Sequence, residues 1–356
     1  MASTLLVRYG EIGIKGPAVR ARFERRLVEN MESMFAARGL ECATEREWGR
    51  VFVHTAKPAE ALDALAHTFG VVSASEALEC EGTVEAVAAF ASERTTVPAG
   101  ATFAVRARRA GTHGFSSVDV ARATGAAIVA RNPGARVDLE NPDVEVFVEV
   151  RGRRAYVYRD AVAGPGGLPL GTQGRVAILL DEPRDVLAAW LLMKRGVSPQ
   201  ILAASPVEGA LRPALEALAA WTPALDLGVL AVPEAWSADP ARRRAFLVEA
   251  LARHASHRRA TAVVLGDGLA EAAAFAPLDA RVGRPVFRPL VGYPGERLAA
   301  LARVARLEPA LGPAARGAPA APVADVPAPS EDEVKQALMA VRRATITRPP
   351  RLGAPA

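Results

Sequence analysis

The stretch Val176-Ala-Ile-Leu-Leu-Asp-Glu-Pro-Arg-Asp-Val-Leu-Ala-Ala-Trp-Leu-Leu-Met-Lys-Arg195 reads as a buried strand, a tight loop and a helix. In α/β proteins such a junction is where phosphate is held. Backbone N–H groups at the helix N-terminus close on the anion, and glycines usually permit the close approach. The loop here, Asp181-Glu182-Pro183-Arg184-Asp185, has no glycine and sets three carboxylates against one arginine. Like charges 4 Å apart repel by about 1 kcal/mol in water and by more when partly buried, so Asp181 and Glu182 disfavour a pyrophosphate. Pro183 has no N–H to donate. Acidic residues at this position also complement the helix dipole and cap its first turn, and the loop reads as such a cap. The junction thus has the scaffold of a nucleotide site without its phosphate grip.

The rest of the chain supplies the context. Residues 1–70 give strand, helix, strand, helix and return strand: Leu5–Arg8, Ala18–Arg38 ended by Gly39, Glu47–His54, Pro58–His67 and Val71-Val72. A β-α-β-β-α-β order fits a ferredoxin-like module. Residues 71–163 form a second α+β unit. Its helix from Thr83 to Arg94 is N-capped by Thr83, Thr102–Arg108 alternates like a strand, and a second helix runs from Ser117 to Arg131. Val144–Val150 and Ala155–Tyr158 form a hairpin around Arg151-Gly-Arg-Arg154. The glycine-rich segment 164–175 is a joint. Residues 176–310 alternate short apolar runs (177–180, 200–203, 227–232, 262–265, 286–287) with helices, the pattern of a doubly wound parallel sheet. Residues 311–330 are Ala/Pro-rich and read as disordered, and a last capped helix runs from Ser330 to about Arg343 before a tail.

At 356 residues the chain is long enough for two or three domains, and half its residues are apolar. No run reaches the eighteen or so apolar residues of a membrane span, and the N-terminus reads as a strand rather than a signal peptide. A cytoplasmic setting with no membrane partner is expected. Two cysteines, Cys42 and Cys80, exclude a disulfide scaffold and a cysteine-rich metal site. The five histidines (54, 67, 113, 254, 257) lack zinc spacing. No metal site is expected, and His254 and His257 read as an exposed helix face. The net charge of +5 comes wholly from beyond residue 170, since the first half is balanced. Any RNA surface in the first half therefore depends on clustering of charge.

Three stretches carry a resemblance. They are Arg8-Tyr-Gly-Glu-Ile-Gly-Ile-Lys-Gly16, then Phe103–Asp119 with Asn141–Val146, and Gly166-Gly-Leu-Pro-Leu-Gly-Thr-Gln-Gly-Arg-Val176. In order and spacing the chain resembles the tRNA 4-thiouridine synthetase family, which also supplies sulfur to thiamine biosynthesis in some organisms. The resemblance covers roughly residues 4–310. It fades after residue 177 and returns at Phe287-Arg-Pro-Leu-Val-Gly-Tyr293. It implies an α/β and α+β multidomain fold: a ferredoxin-like domain (1–70), a THUMP domain (71–163), a joint (164–175) and a PP-loop, adenine nucleotide α-hydrolase-like domain (176–310). A linker, short helix and tail follow (311–356).

The resemblance implies binding of the tRNA acceptor end by the THUMP stretch. Guanidinium groups take phosphates bidentately, and aromatic rings stack on unpaired bases. Arg106 and Arg108 share one strand face, with Arg109 in the turn and His113 and Phe115 beyond; Arg153 and Arg154, beside Arg151, are a second basic turn. Lys15 is a further phosphate candidate. At the adenylation site the resemblance implies Ser-Gly-Gly-x-Asp-Ser, of which only Asp185 remains. Leu179 and Leu180 at the strand end, Arg244 beside Arg243, and Gly266 in Leu265-Gly-Asp-Gly-Leu-Ala-Glu-Ala-Ala-Ala-Phe275 are the other remnants. The family's cysteine in this domain is missing, and a rhodanese domain is not expected. No catalytic residue is assigned, and ATP with Mg²⁺ is expected only if the divergent loop still works. The leading reading is a tRNA-binding member whose adenylation site has decayed, acting in or beside thiolation. The alternatives are an active sulfurtransferase fed by a sulfur carrier or cysteine desulfurase, and a non-catalytic subunit of an intact paralogue. A homodimer is a further expectation.

Overall fold

The computed structural model describes residues 3–207, 209, 211–312, 323 and 326–347. The chain divides into two compact units, one built from residues 1–8, 40–66 and 73–163 and the other from 9–39, 67–72 and 164–356. Its first elements are β1 (Ser3–Tyr9), α1 (Pro17–Ala36), β2 (Cys42–Glu47), β3 (Arg50–Thr55), α2 (Pro58–Leu65), β4 (Val71–Glu81), α3 (Val84–Arg94), β5 (Thr102–Ala110), α4 (Ser117–Arg131), β6 (Arg136–Val137), β7 (Val144–Arg151), β8 (Arg154–Tyr158) and β9 (Val162–Ala163). Then come β10 (Arg175–Leu180), α5 (Asp185–Lys194), β11 (Ser198–Ala204), α6 (Leu211–Ala219), β12 (Leu225–Leu230), α7 (Glu234–Ser237), α8 (Pro240–His257), β13 (Ala262–Val264), α9 (Leu269–Phe275), β14 (Val286–Phe287), α10 (Gly295–Val304), α11 (Glu331–Met339) and β15 (Arg342–Ile346).

The first unit is one sheet in the order β2-β3-β1-β4-β8-β7-β5-β6, with β9 on β4. The element order β1-α1-β2-β3-α2-β4 is the ferredoxin-like one. The expected strand Glu47–His54 is instead a hairpin of two strands, β2 and β3. They turn at Trp48-Gly49, where Gly49 takes φ 77°, a left-handed value that glycine adopts without a Cβ clash. Helices α3 and α4 cover the β5, β7 and β8 part of the sheet through Val87, Ala91, Val120, Ile128, Phe103, Val146 and Val148. Both start as the sequence indicates. The Thr83 hydroxyl accepts from Ala86 N–H at 3.3 Å, and Ser116 with Asp119 forms a reciprocal capping box. On the opposite face Phe52 packs on Tyr156 at 4.7 Å and Phe147 stacks on Tyr158 at 5.2 Å.

The second unit is a six-stranded sheet in the order β14-β13-β10-β11-β12-β15. Five strands are parallel, and β15 is an antiparallel edge strand on β12. Parallel sheets are covered on both faces, so their strands are continuously apolar. In β10, Val176, Ile178 and Leu180 join one core with α5 and α6, while Ala177 and Leu179 join the other with α8. Leu179 and Leu180 are therefore core residues on opposite faces. The last helix stops at Met339 rather than Arg343. Residues 342–346 form the edge strand, with Arg343 opposite Gly228 and Thr345 opposite Asp226. The expected disorder of 311–330 and the tail from Arg348 fall largely outside the described residues. Within the joint, Gly167 takes φ 75°, and a Cβ there would lie 2.8 Å from Lys194 Cγ, so the chain closes against α5 only with glycine.

Candidate functional site

The sheet order places a topological switch between β10 and β13, where chains leave neighbouring parallel strands in opposite directions and ligands usually sit. The loops after these strands, 181–184 and 265–268, face the switch. Asp185, fully buried, turns its carboxylate back into the first loop. Its Oδ2 accepts from Asp181 N–H at 2.8 Å and Glu182 N–H at 2.9 Å. Further along, the N–H groups of Asp185, Val186 and Leu187 donate to the carbonyls of Glu182, Pro183 and Arg184 at 3.0, 3.3 and 3.0 Å. A phosphate loop aims these same donors at its ligand. Here an internal carboxylate and a tight first turn take them. The expectation that Asp181 and Glu182 cap the helix changes accordingly: the acceptor is Asp185, and it caps the loop.

The charged side chains are committed in the same way. Arg243 donates to Asp181 at 2.6 Å. Arg184 pairs with Glu182 at 3.2 Å and with Glu271. Arg244 pairs with Asp267, which also takes Arg288 at 2.9 Å. Arg288 makes two bonds of 2.7 Å to Asp279. Four guanidinium groups thus pair with five carboxylates, and Asp185 adds a sixth that takes backbone N–H groups. Gly266 is the other side of this packing: a Cβ on it would lie 2.9 Å from Asp185 Cα. Phe275, buried, lies 5.2 Å from the Arg244 guanidinium. The Arg243–Arg244 pair, read as a surviving anion contact, is turned onto carboxylates of the chain itself. Asp279, Glu271 and Arg288 are network members that the sequence reading missed; Arg288 lies in the segment where the resemblance returns.

These residues do not fit ATP with Mg²⁺. The N–H groups of Asp181, Glu182, Asp185, Val186 and Leu187 are used internally, and the side chains nearest them carry an acidic excess that opposes a polyphosphate. Among the described residues no group of three or more His, Cys, Asp or Glu is arranged to hold a metal ion. Neither cysteine offers a reactive thiolate. Burial pushes the Cys80 thiol up to about 11, and burial raises Cys42 as well, against a hydrogen bond with Thr55.

The THUMP-like stretch is arranged differently from the expectation in several respects. Arg109 is not in a turn but on β5, beside Val150 of β7. Arg106 is committed, donating to Glu145 at 2.8 Å and to the Leu139 carbonyl at 2.8 Å. Arg154 pairs with Glu45 and Glu47, and Arg151 with Glu47 and Glu149. Phe115 is half-buried against the core of α3, α4 and the sheet, so it anchors its loop. What remains outward is Arg108, Arg109 and Arg153, all exposed. His113 joins the two loops, its Nε2 lying 3.1 Å from the Gly152 carbonyl. Trp48, 77% exposed, adds an aromatic surface that the sequence reading did not assign. Its carbonyl accepts from Arg151 at 2.9 Å, which fixes it beside the basic hairpin. Lys15 belongs to the second unit, half-buried in the turn before α1.

Comparison with known proteins places these features. The family model of the ThiI ferredoxin-like domain matches residues 4–75, and that of the THUMP domain matches residues 83–160. A probable tRNA sulfurtransferase of Halobacterium salinarum is 35% identical over 329 residues, 85% of this chain and 84% of that protein. A probable tRNA sulfurtransferase of Methanosarcina mazei is 42% identical over 204 residues, 55% of this chain, and the match spans only half of that protein. In fold, the chain is similar to the crystal structure of a 4-thiouridine synthetase–RNA complex with bound ATP. The TM-score is 0.76 at 24% identity, covering 97% of this chain and 100% of that one. PH1313 from Pyrococcus horikoshii gives a TM-score of 0.69 at 25% identity, over 85% and 98%.

Proposed function

Since this chain belongs to the tRNA sulfurtransferase family, we propose that it binds tRNA through its THUMP domain and no longer adenylates it. The observation that carries this reading is the Asp185 carboxylate on the N–H groups of Asp181 and Glu182. A nucleotide phosphate would have to displace a fully buried carboxylate and then face Asp181, Glu182 and Asp267. RNA contact falls to Arg108, Arg109 and Arg153, with Trp48 and His113 as stacking surfaces. Exposed guanidinium groups exchange hydration and counterions for phosphate at little cost, whereas committed ones such as Arg106 must first break an ion pair. The protein then acts in or beside tRNA thiolation as a binding component. The six-stranded unit serves as scaffold or partner surface.

The purified chain is expected to retard tRNA in a gel shift at micromolar concentration. With tRNA, ATP, Mg²⁺ and sulfide it is expected to release no pyrophosphate above the protein-free control and to form no 4-thiouridine. Pyrophosphate release that depends on both tRNA and the protein contradicts the reading and supports an active sulfurtransferase.

A further inference from the structure

At the opposite edge of the six-stranded sheet, where the parallel strands begin, lies a basin that the reading above leaves unused. A cavity of about 530 Å³ is lined by Gln200, Asp226, His254, Arg258 and Arg343. Two more, of about 640 and 370 Å³, share part of this lining, and Arg258 borders all three. The basic side chains come from three elements: Arg175 from the start of β10, Arg258 and Arg259 just past the end of α8 beside His257, and Arg343 from the edge strand β15. None of these four arginines is ion-paired with a carboxylate among the described residues. The lining carboxylate, Asp226, accepts from the Thr345 hydroxyl at 2.7 Å.

His254 is the distinctive member. It is not on an exposed helix face, as its spacing from His257 indicates, but only 7% exposed. It borders two of the cavities, and its ring has no hydrogen-bond partner among the described residues. Burial, with Arg258 and His257 nearby, lowers its pKa to about 4, so the ring is neutral at neutral pH. A neutral imidazole carries one N–H donor and one acceptor, so the ring can offer a ligand in the cavity either role. The α8 dipole accounts for cations at that helix's C-terminus. It does not account for Arg175 and Arg343, which arrive on strands, or for a buried ring bordering the cavity.

Arginine forks match the oxygens of a phosphate, and the cavity is large enough for a phosphorylated small molecule or a segment of nucleic-acid backbone. We propose that this basin binds a phosphate group, with Arg258 and Arg343 as its charged donors and His254 as a neutral one. The phosphate belongs either to a free phosphorylated molecule or to an RNA backbone. The first of these does not depend on the tRNA reading.

The test is calorimetry on the full chain at fixed ionic strength with three probes: inorganic phosphate, AMP and an acceptor-stem RNA duplex. The proteins are the wild type, Arg258→Ala/Arg343→Ala, and Arg343→Glu. At least one probe is expected to bind the wild type and to lose tenfold or more in affinity for both variants. Loss with phosphate or AMP identifies a free phosphorylated ligand; loss with the RNA alone identifies a backbone. Phosphate or AMP binding is expected to be unchanged in Arg108→Ala/Arg109→Ala/Arg153→Ala, so failure of the tRNA reading is seen separately. If circular dichroism shows the double variant unfolded, Arg343→Glu, on the exposed edge strand, decides alone. Affinities that change less than threefold for every probe, or no binding of any probe, overturn the proposal.

Discussion

Replacing Asp267 with alanine is expected to lower the unfolding free energy by about 3–5 kcal/mol, the usual cost of removing one partner from a buried ion pair. Asp267 is fully buried between Arg244, 2% exposed, and Arg288, 12% exposed. The variant removes from the buried Arg244 guanidinium its ion pair with Asp267, and Arg288 retains its pair with Asp279. Neither arginine neutralises, because guanidinium does not lose its proton in the accessible pH range. Urea unfolding followed by circular dichroism reads the effect as a lowered midpoint at unchanged slope. The control is Arg195→Ala: its pair with Glu11 is exposed, and such pairs contribute about 0–1 kcal/mol. A loss below 1 kcal/mol in Asp267→Ala means that the arginine–carboxylate network is not a structural element, and the retired-site reading loses its physical basis.

The second large effect concerns RNA. Arg108→Ala/Arg109→Ala/Arg153→Ala is expected to weaken tRNA binding by about tenfold to hundredfold at physiological salt. It is also expected to reduce the slope of log affinity against log salt by about 2, since each lost phosphate contact removes roughly 0.7–0.9. Arg106→Ala is expected to change affinity less than threefold, because its guanidinium is already held by Glu145 and the Leu139 carbonyl. The contrast separates a basic surface from basic composition, since all four residues are arginines and Arg106, Arg108 and Arg109 lie on one strand. Fluorescence anisotropy with labelled tRNA at four salt concentrations gives both quantities. Equal losses in Arg106→Ala and in the triple variant would move the RNA surface elsewhere.

The sequence made the architecture legible where the signals are local. Apolar runs at 177–180, 200–203 and 262–265 each become a strand, because a parallel strand buried on both faces is apolar throughout. Caps such as Thr83 and the Ser116–Asp119 box act within one turn, so they can be read directly. What escaped was set by distant partners. The run Arg342-Arg-Ala-Thr-Ile346 has the charge of a tail, and it becomes a strand only by pairing with β12 beside Gly228. A Cβ on Gly228 would come within 2.8 Å of Val341 Cγ1. His254 was misplaced by its polarity, although it falls on the stripe of Leu247, Leu251 and Ala255 that α8 buries.

The candidate site divides along the same line. The expectation of a missing phosphate grip comes from five consecutive residues, 181–185. What replaced it does not, because Arg184 and Glu271, Arg244 and Asp267, and Arg288 and Asp279 meet only after folding. In the RNA-facing stretch the residue types were legible and their availability was not. Arg106, Arg108 and Arg109 are equivalent in sequence, yet Glu145 takes one of them. Trp48 was hidden inside an expected strand until the Trp48-Gly49 turn exposed it.

The central claim is that the carboxylate of Asp185 stands where a nucleotide phosphate would bind. Isothermal titration of the full chain with ATP, in the presence and absence of Mg²⁺, tests it most directly. In the Arg258→Ala/Arg343→Ala background, which removes the basin at the other end of the sheet, the account predicts no saturable heat up to about 1 mM ATP, a limit of about −4 kcal/mol in binding free energy. Micromolar, Mg²⁺-dependent binding that disappears in Arg244→Ala would contradict it.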